Sequence, residues 1–278
     1  MKQRNSGPIS WKENILKILF IGDVVGKVGR RMLKERIPYY VNKYDIDFVI
    51  ANGENATHGK GLNRNHYFEL LDAGVDAITL GNHYMSKSEI LRYIDQVDRL
   101  VRPYNLIKEF PGEGSVVFDV NGISVRVTNI LGSAFMDEVV NAPYYSILTI
   151  LDEEEPATVH IVDFHAEATG EKQSLAFALD GKVTAVLGTH THVQTNDAHI
   201  LPQGTAFISD VGMTGYADGV LGCTSETVVP KLIYGKQTKF QVPDEGRGIF
   251  SAVVIDIDEF TGLAKEIFPI YYLEKDEN

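Results

Sequence analysis

The chain has 278 residues, 44% of them hydrophobic and 23% charged, with Asp+Glu 38 against Lys+Arg 26 and a formal charge of -12. This is an ordinary globular composition, long enough for one large domain or two small ones. The acidic balance argues against stable nonspecific binding to nucleic acid or an acidic membrane but leaves room for a local basic pocket, and the single cysteine, Cys223, excludes an internal disulfide and suits a reducing cytoplasm.

Residues 1–12 are polar and lack an apolar signal core. Residues 1–14 are therefore expected to form a flexible extension and 15–278 a single domain. No apolar run approaches the ~18 residues that span a bilayer, so a cytoplasmic location is expected.

Ile15–Ile21 is a β-rich apolar run that ends in Gly22-Asp23, and residues 28–44 follow with helical apolar spacing at Met32, Leu33, Ile37, Tyr40 and Val41. Residues 48–51 form a second strand ending in Asn52-Gly53-Glu54-Asn55, then a Gly-rich loop around His58 and Lys60, then a short helix over 64–73. Residues 77–80 form a third strand ending in Gly81-Asn82-His83, and 86–97 are expected to be helical with Ser86 as the cap. Short continuous apolar strands alternating with helices predict a parallel sheet covered by helices, whose functional loops lie at the C-terminal strand ends.

The middle of the chain differs. Ser115–Val120 and residues 123–130 flank Asn121-Gly122, which predicts a hairpin with a type I′ turn and therefore a mixed sheet. Residues 158–164 form a strand ending in His165-Ala166-Glu167, 174–179 are helical, and 183–187 lead into Gly188-Thr189-His190-Thr191-His192-Val193-Gln194-Thr195. If that segment is extended, His190 and His192 point the same way. Residues 206–210 form a further strand before a Gly-rich loop at 212–222, and 250–257 and 266–272 close the chain. No repeat of 20–50 residues is present.

Five strand ends thus carry Asp23, Glu54-Asn55, Asn82-His83, His165 and His190/His192. Singly each has an ordinary structural explanation, as a helix cap, a turn residue or a core histidine; five together point to a shared site. Two carboxylates, an amide oxygen and three imidazoles suit iron, manganese or zinc, and the lack of thiolates argues against a structural zinc. The ligand number exceeds the need of one ion and suits two ions sharing a carboxylate. Gly22 to Lys27 is one residue too short for a Walker A loop and is followed by Val28 rather than Ser or Thr, and Gly22, Gly26 and Gly29 do not give a dinucleotide fingerprint.

Taken in order, Gly22-Asp23, Gly53-Glu54-Asn55, Gly81-Asn82-His83, His165 and Gly188-Thr189-His190-Thr191-His192 resemble the blocks of calcineurin-like metallophosphoesterases, and residues 52–55, 165–167 and 189–195 resemble the YmdB-type bacterial branch. Glu54 stands where the wider family has Asp, and Tyr84-Met85 stand where the branch has Thr-Trp, which alters the pocket wall. The resemblance implies a four-layer αββα sandwich with mixed sheets and two divalent metal ions, iron or manganese ahead of zinc. Asp23 and His192 would bind the first ion, Asn82, His165 and His190 the second, and Glu54 would bridge them. Asn55 would lie beside the bridging solvent or the substrate phosphate, and His83 would act from outside the ligand set. The activity implied is hydrolysis of phosphodiesters by a metal-bridging hydroxide, with 2′,3′- or 3′,5′-cyclic nucleotides as candidate substrates. A small nucleotide is the expected partner, homo-oligomerisation is compatible with the sequence, and the Gly-rich loops at 58–62 and 212–222 are expected to let substrate approach the backbone. Two alternatives stay open: a metal-binding regulatory protein with little turnover, and a metal-dependent hydrolase of another class.

Overall fold

The computed structural model describes residues 14–275, so residues 1–13 of the expected extension lie outside the described residues. The first half of the chain runs β1 (Ile15–Ile21), β2 (Asp23–Val24), α1 (Gly26–Tyr44), β3 (Phe48–Asn52), α2 (Arg64–Asp72), β4 (Ala77–Thr79) and β5 (Leu100–Val101). The second runs β6 (Ser115–Val120), β7 (Ile123–Leu131), α3 (Pro143–Glu153), β8 (Val159–His165), α4 (Thr169–Ala178), β9 (Ala185–Thr189), β10 (His199–Ile200) and β11 (Ala206–Ile208). The chain then returns through β12 (Met213–Tyr216), α5 (Ser225–Tyr234), β13 (Gly248–Asp258) and β14 (Ala264–Leu273).

Two mixed sheets result. In the eight-stranded sheet the order is β2-β12-β13-β1-β3-β4-β5, with β14 also on β13. Here β1, β3, β4 and β5 are parallel, and β13 runs antiparallel to β1. The six-stranded sheet is ordered β10-β11-β9-β8-β7-β6, with β7, β8, β9 and β11 parallel.

The alternation along β1 explains the layers. Leu16, Ile18 and Phe20 enter the core between the two sheets, while Leu19 and Ile21 face the other way, onto α1 and α2. Both faces being buried, the strand reads as a continuous apolar run. On β8, Ile161 joins the inter-sheet core, while Val162 and Phe164 pack beneath α3 and α4. Three apolar layers therefore separate four layers of secondary structure, as the family resemblance implied.

The hairpin is confirmed: β6 pairs antiparallel with β7, and Asn121 and Gly122 both hold the positive φ that a type I′ turn requires. The expected helix over 86–97 is instead two 3₁₀ turns, Ser88–Arg92 and Ile94–Gln96, and Ser86 caps neither. Ile90, Tyr93 and Ile94 are its buried residues, a spacing that a three-residue repeat serves as well as a 3.6-residue one. The strand expected over 206–210 stops at Ile208, because Ser209 and Asp210 are held by side-chain bonds to Asp197 and Thr195 instead of by a ladder. Among the described residues, no helix is long and apolar enough to cross a membrane.

Candidate metal centre

The C-terminal ends of β1, β3 and β4 from one sheet meet those of β8 and β9 from the other, and each delivers one or two polar side chains. Asp23, Glu54 and His165 are all at most 1% exposed. Glu54 lies at the middle. Its Oε1 accepts from Asn55 Nδ2 at 3.1 Å and stands 3.2 Å from His165 Nε2, and its Oε2 accepts the His83 backbone N–H at 2.8 Å. Gly81 makes this approach feasible, since a Cβ there would fall on Glu54 Oε2 and His165 Nε2.

His165 Nε2 is the point of convergence. Asn82 Oδ1 lies 3.1 Å away and His190 Nδ1 3.0 Å away, in addition to Glu54. Ligand atoms of Glu54, His165 and His190 all fall within 4.8 Å of one another and could hold a metal ion. A second group adjoins it. His192 Nε2 lies 3.2 Å from the Asn55 side-chain amide and 3.8 Å from Asp23 Oδ1. The amide orientation is assigned from the hydrogen-bond network, and turning it would present oxygen to the same point.

The imidazoles are oriented from behind. His192 Nδ1 donates to the Leu221 carbonyl at 3.2 Å, which leaves Nε2 facing Asp23. The Glu167 carboxylate stands 3.2 Å from His190 Nε2, which leaves Nδ1 inward. His165 Nδ1 bonds Thr189 Oγ1 at 2.9 Å, and that hydroxyl donates to Asp163 Oδ1 at 2.6 Å. Since a hydroxyl has one proton, it must accept from His165 Nδ1–H, and Nε2 is then the atom offered to the site. Carboxylate-supported histidines of this kind are the usual second layer around a metal. Asp163 is steadied in turn by Thr79 Oγ1 and Asn52 Nδ2.

Electrostatics agree with a cation-binding role. Burial raises Asp23. Burial would raise Glu54 too, but the His165 charge and hydrogen bond pull it down to about 2. Burial would lower His165, yet Glu54, Asp23 and Asp163 push it up to about 9. Burial and the neighbouring His165 push His190 down to about 3, and burial also lowers His83, with Glu54 opposing. Asp23 Oδ1 is buried with no hydrogen-bond partner. An orphaned carboxylate oxygen facing imidazole nitrogens fits a divalent cation, and the all-nitrogen-and-oxygen donor set suits iron, manganese or zinc.

All six expected ligands are thus brought together, and Asn55 and the His83 backbone touch them. Two expectations change. His190 and His192 do not lie on extended backbone: their φ values are 100° and 66°, left-handed conformations that cost on the order of 1–3 kcal/mol each in a non-glycine residue. The rings consequently reach different parts of the cluster instead of one small volume. Glycines of the Gly-rich loops also face protein. The Cβ positions of Gly59 and Gly212 are occupied by Val242 and Gln194, so these glycines serve close packing and not ligand approach. Tyr84 turns inward against Phe110, with ring centroids 4.9 Å apart, and Met85 lies on the surface. The supporting Asp163, Thr189 and Glu167 had no assigned role in the sequence, although Asp163 precedes His165 by two positions on one strand and so shares its face.

A family model described as a YmdB-like protein matches residues 19–270. A Bacillus subtilis (strain 168) protein named 2′,3′-cyclic-nucleotide 2′-phosphodiesterase is 47% identical over 253 residues, covering 91% of this chain and 95% of that one. The crystal structure of a hypothetical protein from Thermus thermophilus is 39% identical, covers 94% of this chain and 100% of its own, and has a TM-score of 0.87. A structure described as a novel phosphatase from Mycoplasma pneumoniae is 38% identical, with 95% and 96% coverage and a TM-score of 0.89.

Proposed function

Because the chain belongs to the YmdB-like family, we propose that it is a two-metal phosphodiesterase acting on cyclic nucleotides. The coarser class, phosphodiester or phosphomonoester hydrolysis, follows from relatives named as phosphodiesterase and phosphatase. The finer reading rests on the convergence of Glu54, Asn82 and His190 on His165 Nε2, beside the unpartnered Asp23 Oδ1.

Asp23 and His192, with Asn55 beside them, would hold one divalent ion; Asn82, His165 and His190 would hold the other; Glu54 would be shared. The donor set suits iron, manganese or zinc, and the family resemblance favours iron or manganese. When bound, such ions would lower the pKa of a coordinated water and offset charge on a phosphoryl group. The proposed ligands include two carboxylates, and the neutral amide of Asn82 adds no charge, so the loaded ligand set keeps a positive excess for an anionic substrate. His83, held below the usual imidazole pKa chiefly by burial, gains proton affinity beside a phosphate anion. In this reading His83 protonates the departing alkoxide.

The test is metal analysis of protein purified without chelator or affinity nickel, followed by assays on 2′,3′- and 3′,5′-cyclic nucleotides and a bis-aryl phosphodiester. Two ions per chain and turnover of a cyclic nucleotide are expected. One ion at saturating metal overturns the two-metal reading. Metal-loaded protein inert toward every phosphodiester would instead favour a regulatory protein or another hydrolase class.

A further inference from the structure

Beneath the histidine loop lies a buried ion pair that the proposed chemistry does not use. Lys172, in the first turn of α4, and Asp210, two residues past β11, have side chains 2% and 1% exposed and stand 2.8 Å apart. Lys172 Nζ also donates to the Thr189 carbonyl at 2.8 Å, where β9 ends. Asp210 Oδ2 accepts both the backbone N–H of Thr191 at 3.0 Å and its hydroxyl at 2.8 Å. Its Oδ1 accepts Gly212 N–H at 2.8 Å, and Gly212 O in turn accepts the backbone N–H of Asp23 at 3.0 Å. At the far end of the loop, the Asp210 backbone exchanges bonds with Thr195.

Every side-chain contact of Asp210 beyond Lys172 therefore goes to the loop or to the segment beside Asp23. Thr191, the residue gripped twice, is the one between the two left-handed histidines. A buried ion pair is a poor source of stability, because desolvation offsets the attraction. Its geometric value is high, because a charged acceptor binds several N–H and O–H donors at once.

We propose that Lys172 and Asp210 form a positioning clamp that pins Thr191 and so aims His190 and His192 at the two halves of the metal site. Lys172 offsets the charge of Asp210, and the two carboxylate oxygens of Asp210 accept from all three donors. The proposal rests on the two-metal reading. It predicts that the clamp governs both ions together, because the histidines on either side of Thr191 serve one each.

The test is Mn²⁺ titration of chelator-stripped protein, with the unfolding midpoint of the stripped protein measured in parallel. Lys172→Met should weaken both Mn²⁺ sites by about 10–100-fold, the range usual for loss of an outer partner of a ligand. Leu33→Ala, in the core under α1, should lower the midpoint while leaving both affinities unchanged. Lys172→Met with Asp210→Asn should recover part of the lost affinity, since an amide oxygen still accepts from Thr191 and no unpaired charge remains. Thr191→Val, which removes one hydroxyl bond only, should weaken both sites a few-fold and serves if Lys172→Met does not fold. Wild-type protein that binds fewer than two Mn²⁺ overturns the two-metal reading and the clamp with it. Wild type that binds two, with unchanged affinity in folded Lys172→Met or Thr191→Val, or equal loss in Leu33→Ala, overturns the clamp alone.

Discussion

His160 and His165 sit five residues apart on β8, both buried, yet their chemistry is opposite. Burial, aided by the nearby Arg126, pushes His160 down to about 3; its ring meets Thr128 Oγ1 at 2.9 Å and is neutral. His165 feels the same burial, but Glu54, Asp23 and Asp163 push it up to about 9. One strand thus carries a structural histidine at its start and, at its end, one set among carboxylates that favour positive charge. Burial does not decide which a histidine becomes; the carboxylates gathered around its ring do.

The contrast is most vulnerable at Glu54. Glu54→Gln removes the foremost charge that sets His165 apart and the carboxylate proposed to be shared. Loss of both ions and an activity fall of at least about 10³-fold are expected, the scale of several kcal/mol of charge stabilisation. Metal content and cyclic-nucleotide turnover check this; a Gln variant that keeps two ions would mean that Glu54 is not shared.

His83 lies at the same end but reaches the cluster through its backbone. His83→Ala should keep both ions and lose about 10²–10⁴-fold on a cyclic nucleotide, and far less on a p-nitrophenyl ester, whose leaving group needs no proton. Equal losses on both substrates would leave His83 a positioning role, and loss of metal would make it an orienting residue.

Thr189→Val sharpens the contrast at His165 itself, by cutting its link to Asp163. One ion, that of Asn82, His165 and His190, should weaken by about 10–100-fold while the other is retained; two unequal steps in a metal titration are the signature. A uniform loss at both ions would point to collapse of the loop.

The smallest effect is at the other end of the strand. His160 takes up a proton near pH 6.5 when unfolded but only near 3 when folded, so the unfolded chain binds more protons between these values. Its contribution is therefore intact above pH 6.5 and is lost as pH falls, by about 2 kcal/mol at pH 5. His160→Gln should flatten the stability profile between pH 6.5 and 4, measured by denaturant unfolding at stepped pH. An unchanged slope would show that another group dominates acid sensitivity.

The candidate ligand set was legible because four of the five contributing strands are short apolar runs that break abruptly into glycine and a polar residue, and the fifth ends in His165. Fold class followed from the same alternation and from the Asn121-Gly122 turn. The support behind the ligands was not legible. Thr189 meets His165 because β8 and β9 pair those two residues in register, a relation that no local pattern encodes. Nor could spacing reveal that His190 and His192 leave the strand on left-handed backbone, since that conformation is imposed by contacts with Asp23 and Asp210. Helix α5 was not legible because Pro230 lies inside it, and α3 opens on Pro143 with a start signal that was not read.

The division of donors between the sheets has a consequence for folding order. Asp23, Glu54 and Asn82 come from the first half of the chain and the three imidazoles from the second, with the bond from His190 N–H to Asp23 spanning 167 positions. Contacts of that separation form late, because long loops must close before anything rewards them. A growing chain that has made only its first half holds Asp23, Glu54 and Asn82 without His165, His190 and His192 and has no complete cage to offer. A divalent ion therefore cannot seed this architecture in the way that it seeds a zinc finger. It can only bolt together two sheets that have already found each other, so that an ion bound by the finished molecule slows their parting more than it speeds their meeting.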